Sequence, residues 1–145
     1  MPASSLYLDT SLLVGLFVDE EASDRVAAWF AVQPAQFVVS DWTLVELASA
    51  LGLKVRTHQI TARQADDVQT SFEETLLPHL QVLPIDRSAF ARAQLLMRQY
   101  ALGLRAADAL HVAMCVDQEP LTLATADRVL YRAARALRLA AVRVS

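Results

Sequence analysis

Four carboxylates stand where an otherwise apolar chain would not be expected to place them. Asp9 interrupts "LYLDTSLLVGLF", Glu46 lies within "WTLVELASAL", Asp108 opens "ADALHVAMCV" and Asp127 closely follows "LTLAT". An ionised carboxylate withdrawn from water must be paired or must bind a metal. Each also has an ordinary structural reading. Asp9 and Asp127 can cap the helices that follow them. Thr43 and Glu46 match the T-x-x-E capping box, and Asp108 falls in a first helical turn, where the peptide dipoles favour negative charge. Taken together they suit a hard divalent cation, Mg2+ or Mn2+, which takes oxygen ligands and keeps several waters. Zinc is disfavoured, because His58, His79 and His111 show no ligand spacing with cysteine. Such a cation, lightly held and mostly hydrated, serves phosphoryl transfer by acidifying water and balancing charge on the entering and leaving oxygens.

The surrounding pattern must bring these acids together. Short apolar runs at Leu6–Asp9, Gln36–Ser40, Leu80–Ile85, Leu121–Thr125 and Ala140–Val144 read as strands. Between them lie segments with helical spacing: one from Ser11, Asp24–Val32, Thr43–His58, Thr61–Leu77, about Asp86 to Tyr100, Arg105–Val116 and Asp127–Leu137. Strands alternating with helices require crossover connections. The expected fold is therefore α/β, a three-layer α/β/α arrangement around a mostly parallel sheet of about five strands. Ligands of such sheets bind outside the carboxyl ends of the strands, and Asp9 and Asp127 lie at those ends.

"YLDTSLLV", "VELASAL", "RAADALHVAMCV" and "LTLATADRVL" resemble, in order and spacing, the acidic blocks of PIN-domain ribonucleases, above all the small VapC-type toxins of toxin–antitoxin pairs. The resemblance covers essentially the whole chain and implies Mg2+- or Mn2+-dependent cleavage of RNA. It implies that Asp9, Glu46, Asp108 and Asp127 form the acidic quartet, with Asp9, Asp108 and Asp127 at the metal. Ser11 and Thr125 would be the hydroxyls that orient carboxylates or waters. A protein antitoxin and a second copy of the chain are the implied partners.

Composition bounds the rest. With 145 residues, 54% hydrophobic and 20% charged, a single domain spanning residues 1–145 is expected and disorder is excluded. No apolar run reaches membrane-spanning length and no leader pattern opens the chain, so a cytoplasmic protein is expected. Cys115 is the only cysteine and is read as packing. The net charge of −3 conceals an asymmetry: four basic and eleven acidic residues in 1–84, against nine arginines and five acids in 85–145. Arg128, Arg132 and Arg135 share one helix face and are candidates for RNA contact. Trp29 and Trp42 read as core or interface, and His111 as a partly buried, hydrogen-bonded histidine rather than a general base. A mean hydropathy of +0.30 suggests apolar surface left for a partner among Leu12, Leu13, Leu16, Phe17, Trp29, Phe30, Trp42, Leu44, Leu47 and Leu51.

Other functions fit less well. An Asp-nucleophile phosphatase wants a second Asp two residues after the first, where this chain has Ser11. A receiver-like module wants a lysine near the last strand, and the only lysine is Lys54. A non-catalytic PIN-like interaction domain stays open as an alternative.

Overall fold

The computed structural model describes residues 5–117 and 121–144. Five strands form one sheet: β1 (Ser5–Leu8), β2 (Phe37–Ser40), β3 (Gln81–Leu83), β4 (Leu121–Thr125) and β5 (Ala141–Arg143). Their order is β3-β2-β1-β4-β5 and every pairing is parallel. Seven helices occupy the described residues: α1 (Thr10–Phe17), α2 (Ser23–Ala31), α3 (Asp41–Arg56), α4 (Ala62–Thr75), α5 (Arg87–Met97), α6 (Ala106–Asp117) and α7 (Arg128–Ala136). Each strand and helix expected from the sequence is present. Two short 3-10 turns, Leu77–His79 and Tyr100–Leu102, trim segments read as continuous helix. The second turn closes on Gly103, whose φ of 68° lies in the left-handed region that glycine enters without cost.

Side-chain alternation along the strands assigns the two faces. Tyr7, Val38 and Leu123 point to a core built with α5, α6 and α7. Leu6, Leu8, Val39 and Ala124 point to a second core built with α1, α2, α3 and α4. The central strands β1, β2 and β4 are thus covered on both sides, which is why they read as continuous apolar runs, whereas the edge strands β3 and β5 stay partly exposed.

Local chemistry sets the helix starts. Asp86 caps α5 by accepting the Ala89 N–H at 3.1 Å. Thr61 and Gln64 exchange side-chain to backbone bonds at the start of α4. At α3 the expected box is displaced. The helix begins at Asp41, two residues earlier than read, and Thr43 Oγ1 accepts the Ser40 N–H at 3.1 Å. Glu46 therefore takes no part in capping, because it lies a full turn inside the helix.

The apolar set expected to leave some surface for a partner is divided. Leu12, Leu13, Leu47 and Leu51 are buried, because α1 is walled by the sheet on one side and by α2, α3 and α4 on the other, whereas Leu16, Phe17, Trp29, Phe30, Trp42 and Leu44 stay half-buried. The exposed large apolar side chains lie elsewhere and include Val32, Val45, Leu53, Phe90, Leu95 and Tyr100. No helix among the described residues is long and apolar enough to cross a membrane.

The contact between α1 and α2 has no slack. A Cβ built on Gly15 would lie 2.9 Å from Cγ2 of Val26, itself buried and β-branched. Gly15→Ala should destabilise the fold by about 1–2 kcal/mol in urea denaturation, since overpacking outweighs the gain in helix propensity. Val26→Ala in the same chain should make the second change less damaging than it is alone.

Candidate active site

The sheet runs outward in opposite directions from β1 and β4, so the chain's topological switch lies between these two strands. Crevices at such points lie beyond the carboxyl ends of the strands and are the usual ligand sites of open α/β sheets. Here the crevice is a cleft of about 810 Å3, and Asp9, Glu46, Asp108 and Asp127 all line it.

Asp9 follows β1 directly and is only 4% exposed. Its backbone N–H continues the β1–β4 ladder to the Ala124 carbonyl at 3.1 Å. Its carboxylate also caps α1: Oδ1 accepts the Ser11 N–H at 3.1 Å and the Ser11 hydroxyl at 2.5 Å. Oδ2 accepts the Thr125 hydroxyl at 2.8 Å. Both hydroxyls serve twice, since Ser11 Oγ accepts the Ala126 N–H and Thr125 Oγ1 accepts the Asp127 N–H. The two carboxyl ends of the switch point are stitched together through this one side chain. Asp127 in turn caps α7, its Oδ1 accepting the Val129 and Leu130 N–H groups at 2.7 and 3.1 Å.

Glu46 projects from α3 and is held from two sides. Thr10 Oγ1 donates to its Oε1 at 2.9 Å, and His111 Nε2 contacts the same oxygen. His111 is buried at 1% exposure, deeper than the sequence reading allowed, because α6 packs it against the sheet. Its Nδ1 meets the Tyr7 hydroxyl at 2.7 Å, and that hydroxyl meets Ser40 Oγ at 2.8 Å. Sequence reasoning missed Tyr7, Thr10 and Ser40. The available signal was a tyrosine inside a four-residue strand otherwise lined for a core. Cys115 is buried as expected, and Trp42 is half-buried against the α5–α6 core.

Burial pushes the Asp9 carboxyl up to about 6, with the Asp108 charge adding and His111, Ser11 and Thr125 restraining it. Burial likewise raises Asp108, helped by the neighbouring charges of Asp127 and Glu46 and opposed by Arg105. Partial burial pushes Glu46 upward too. His111, Thr10 and Arg105 more than offset it, and the group ends below the usual carboxylate range. Arg105 and Lys54 are the arginine and lysine side chains on the cleft wall. Lys54 is already engaged by Glu20 at 3.2 Å.

Among the described residues, no three His, Cys, Asp or Glu side chains converge into a ready-made cage for an ion. The oxygen-only donor set, and carboxylates whose charges raise one another's pKa, nevertheless fit a hard cation that keeps most of its water. The outer oxygen of Asp127 and one remaining lone pair of Asp9 Oδ2 are left for it once the hydrogen bonds above are counted, and Asp108 faces it with Oδ2 in a loose 3.9 Å ion pair with Arg105. The exposed face of α7 carries Arg128, Arg132 and Arg135, as its spacing required, and it leads away from Asp127 at the cleft.

The family model for the PIN domain matches residues 6–136. No curated protein matches the chain significantly. Among solved structures, FitAcB from Neisseria gonorrhoeae superposes with a TM-score of 0.71 at 22% identity, covering 95% of this chain and 96% of that one. VapBC2 from Rickettsia felis, bound to a DNA fragment from its promoter, gives 0.71 at 14% identity over 97% and 99%. VapC20 of Mycobacterium tuberculosis, described as a sarcin–ricin loop cleaving toxin, gives 0.64 at 18% identity over 81% and 86%.

The raised Asp9 pKa predicts a pH dependence of stability. The folded group titrates near 6 and the unfolded one near 3.8, so between these values the folded state binds more protons. In EDTA, stability from this group should therefore rise as pH falls from about 7 to about 4 and level off below, a span of about 3 kcal/mol. Asp9→Asn should remove that slope, so the difference between wild type and variant in urea melts should shrink toward low pH.

Proposed function

This chain belongs to the PIN domain family, and we propose that it is a metal-dependent endoribonuclease acting as the toxin of a type II toxin–antitoxin pair. One observation carries the reading: all four predicted carboxylates line a single cleft at the switch point of the sheet. The folds it matches include a toxin described as cleaving the sarcin–ricin loop and VapBC assemblies, which supports RNA as substrate and an antitoxin as partner. A single domain over the chain and a homodimer are part of the same proposal.

Asp9, Asp108 and Asp127 would hold Mg2+ or Mn2+. When bound, the cation supplies positive charge to the phosphoryl oxygens and acidifies nearby water. The chain's own residues do the rest. Ser11 and Thr125 fix the Asp9 carboxylate so that its remaining lone pair keeps one direction. Glu46 is kept ionised, its Oε1 is saturated by Thr10 and His111, and Oε2 is left to accept a hydrogen bond from the attacking water. Water adds to phosphorus as the bond to the leaving ribose oxygen breaks, and that oxygen takes up a proton. Arg105 and Lys54 lie on the cleft wall, and the α7 arginines extend positive charge beyond Asp127 for the flanking phosphates.

Asp9→Asn and Asp108→Asn should each lower RNA cleavage by about a thousandfold or more without lowering the metal-free melting temperature, since each removes charge repulsion from the cleft. Excess EDTA should abolish wild-type cleavage. An active Asp9→Asn protein, or cleavage surviving EDTA, would leave the interaction-domain or another chemical reading in its place.

Replacing Arg128, Arg132 and Arg135 together with Gln should weaken RNA binding and flatten its salt dependence by about two to three units of slope, with little change in the cleavage step once RNA is bound. A filter-binding titration across salt concentrations measures this. An unchanged slope would return the α7 face to solvent or to a protein partner.

A further inference from the structure

His111 is a buried side chain of α6 that lines the cleft. It is 1% exposed, yet both ring nitrogens are engaged, Nδ1 by the Tyr7 hydroxyl at 2.7 Å and Nε2 by Glu46 Oε1. The partners dictate where the hydrogens sit. Glu46 is held below the usual carboxylate range, so it is ionised near neutrality and can only accept. Nε2 must therefore carry a hydrogen. The Tyr7 hydroxyl is fully buried, and a phenol keeps its O–H near neutrality, so it has a hydrogen to give. It meets Ser40 Oγ at 2.8 Å and Nδ1 at 2.7 Å, so it can receive from Ser40 and donate to Nδ1 while Nε2–H faces Glu46. The chain Ser40–Tyr7–His111–Glu46 crosses from β2 through β1 and α6 to α3 without touching solvent until the last carboxylate.

We infer that His111 is a positioning residue of the cleft: its Nε2–H, fixed by the Tyr7 hydroxyl, holds the Glu46 carboxylate in one orientation. A buried histidine that merely satisfied its own polar atoms could bond any acceptor. This one meets, through Nε2, a carboxylate that lines the cleft, and Thr10 Oγ1 meets the same oxygen from α1. With Oε1 taken from two directions, the side chain cannot rotate without breaking a charge-assisted bond, and Oε2 is the oxygen presented.

The inference rests on the nuclease reading for its activity arm and on nothing but the contact for its spectroscopic arm. A Gln side chain places an amide N–H near the position of Nε2, whereas Asn reaches only as far as Nδ1. His111→Gln should retain RNA cleavage within about fivefold of wild type in kcat. His111→Asn should fall about as far as Glu46→Ala, with KM altered less than twofold in each. Tyr7→Phe frees Nδ1 to take the hydrogen and should cost about tenfold in kcat. Equal losses for Gln and Asn, or a loss confined to KM, would overturn the proposal. Should either variant fail to fold, the wild-type ring nitrogens decide it. In 15N-resolved spectra of His111, Nε2 should carry the hydrogen in the wild type and partly lose it to Nδ1 in Tyr7→Phe. A hydrogen on Nδ1 alone in the wild type would overturn the contact itself. If the wild type cleaves no RNA, the nuclease reading fails while the nitrogen assignment still tests His111.

Discussion

A buried carboxylate at the junction of β1 and β4 constrains everything around it. Asp9 must leave water because its backbone continues a strand pairing in the middle of the sheet, with Leu8 opposite Ala124. Hydrogen bonds to a charged acceptor stabilise by about 1.5–3 kcal/mol each, and Asp9 accepts three. They do not fully offset desolvation, since the group is still held up near 6. The chain thus keeps an electrostatic cost at the place where a cation would relieve it. A stability-optimised fold would have put an amide or a hydroxyl there.

That constraint explains the pattern of small polar residues nearby. Ser11 and Thr125 each donate to Asp9 and accept a backbone N–H from the β4–α7 turn, so one hydroxyl satisfies two groups that would otherwise be stranded. Asp127 is then placed by the same turn, because its N–H is tied to Thr125. Moving any one of the four would misplace the others. The capping and metal-binding readings of these acids are not rivals: the carboxylates cap their helices with some lone pairs and keep others for the cleft.

The second support comes from the opposite layer. α6 contributes Asp108 at its amino end and, one turn on, His111 from its buried face, so one helix both adds negative charge to the cleft and braces the carboxylate facing it. Burial, joined by the charges of Asp127 and Glu46, raises Asp108, whereas at Glu46 burial is outweighed by His111, Thr10 and Arg105. Similar groups lining one cleft are thereby driven in opposite directions, which is how a cleft divides roles among chemically equivalent side chains.

Much of this was legible in the sequence. Apolar runs too short for helices, alternating with segments of helical period, dictated a parallel sheet covered on both faces. The acids that broke those runs marked its carboxyl edge, because strand ends are where a polar residue can leave a core. What the sequence could not specify depended on distances between elements. Glu46 looked like a capping residue because Thr43 precedes it by three. The helix start at Asp41, fixed by Ser40 and the end of β2, moved it inward and turned it to Thr10 and His111. Of the apolar residues expected at a partner surface, Leu12, Leu13, Leu47 and Leu51 were buried by α2–α4 closing around α1, a packing that local periodicity does not encode. The sequence by itself determined the fold class and the identities of the four acids, since both follow from periodicity and from the cost of charge in apolar segments. Only the tertiary structure decided that Tyr7, Ser40 and His111 brace Glu46, because hydrogen bonds between residues up to 104 positions apart exist only once the sheet and α6 have packed.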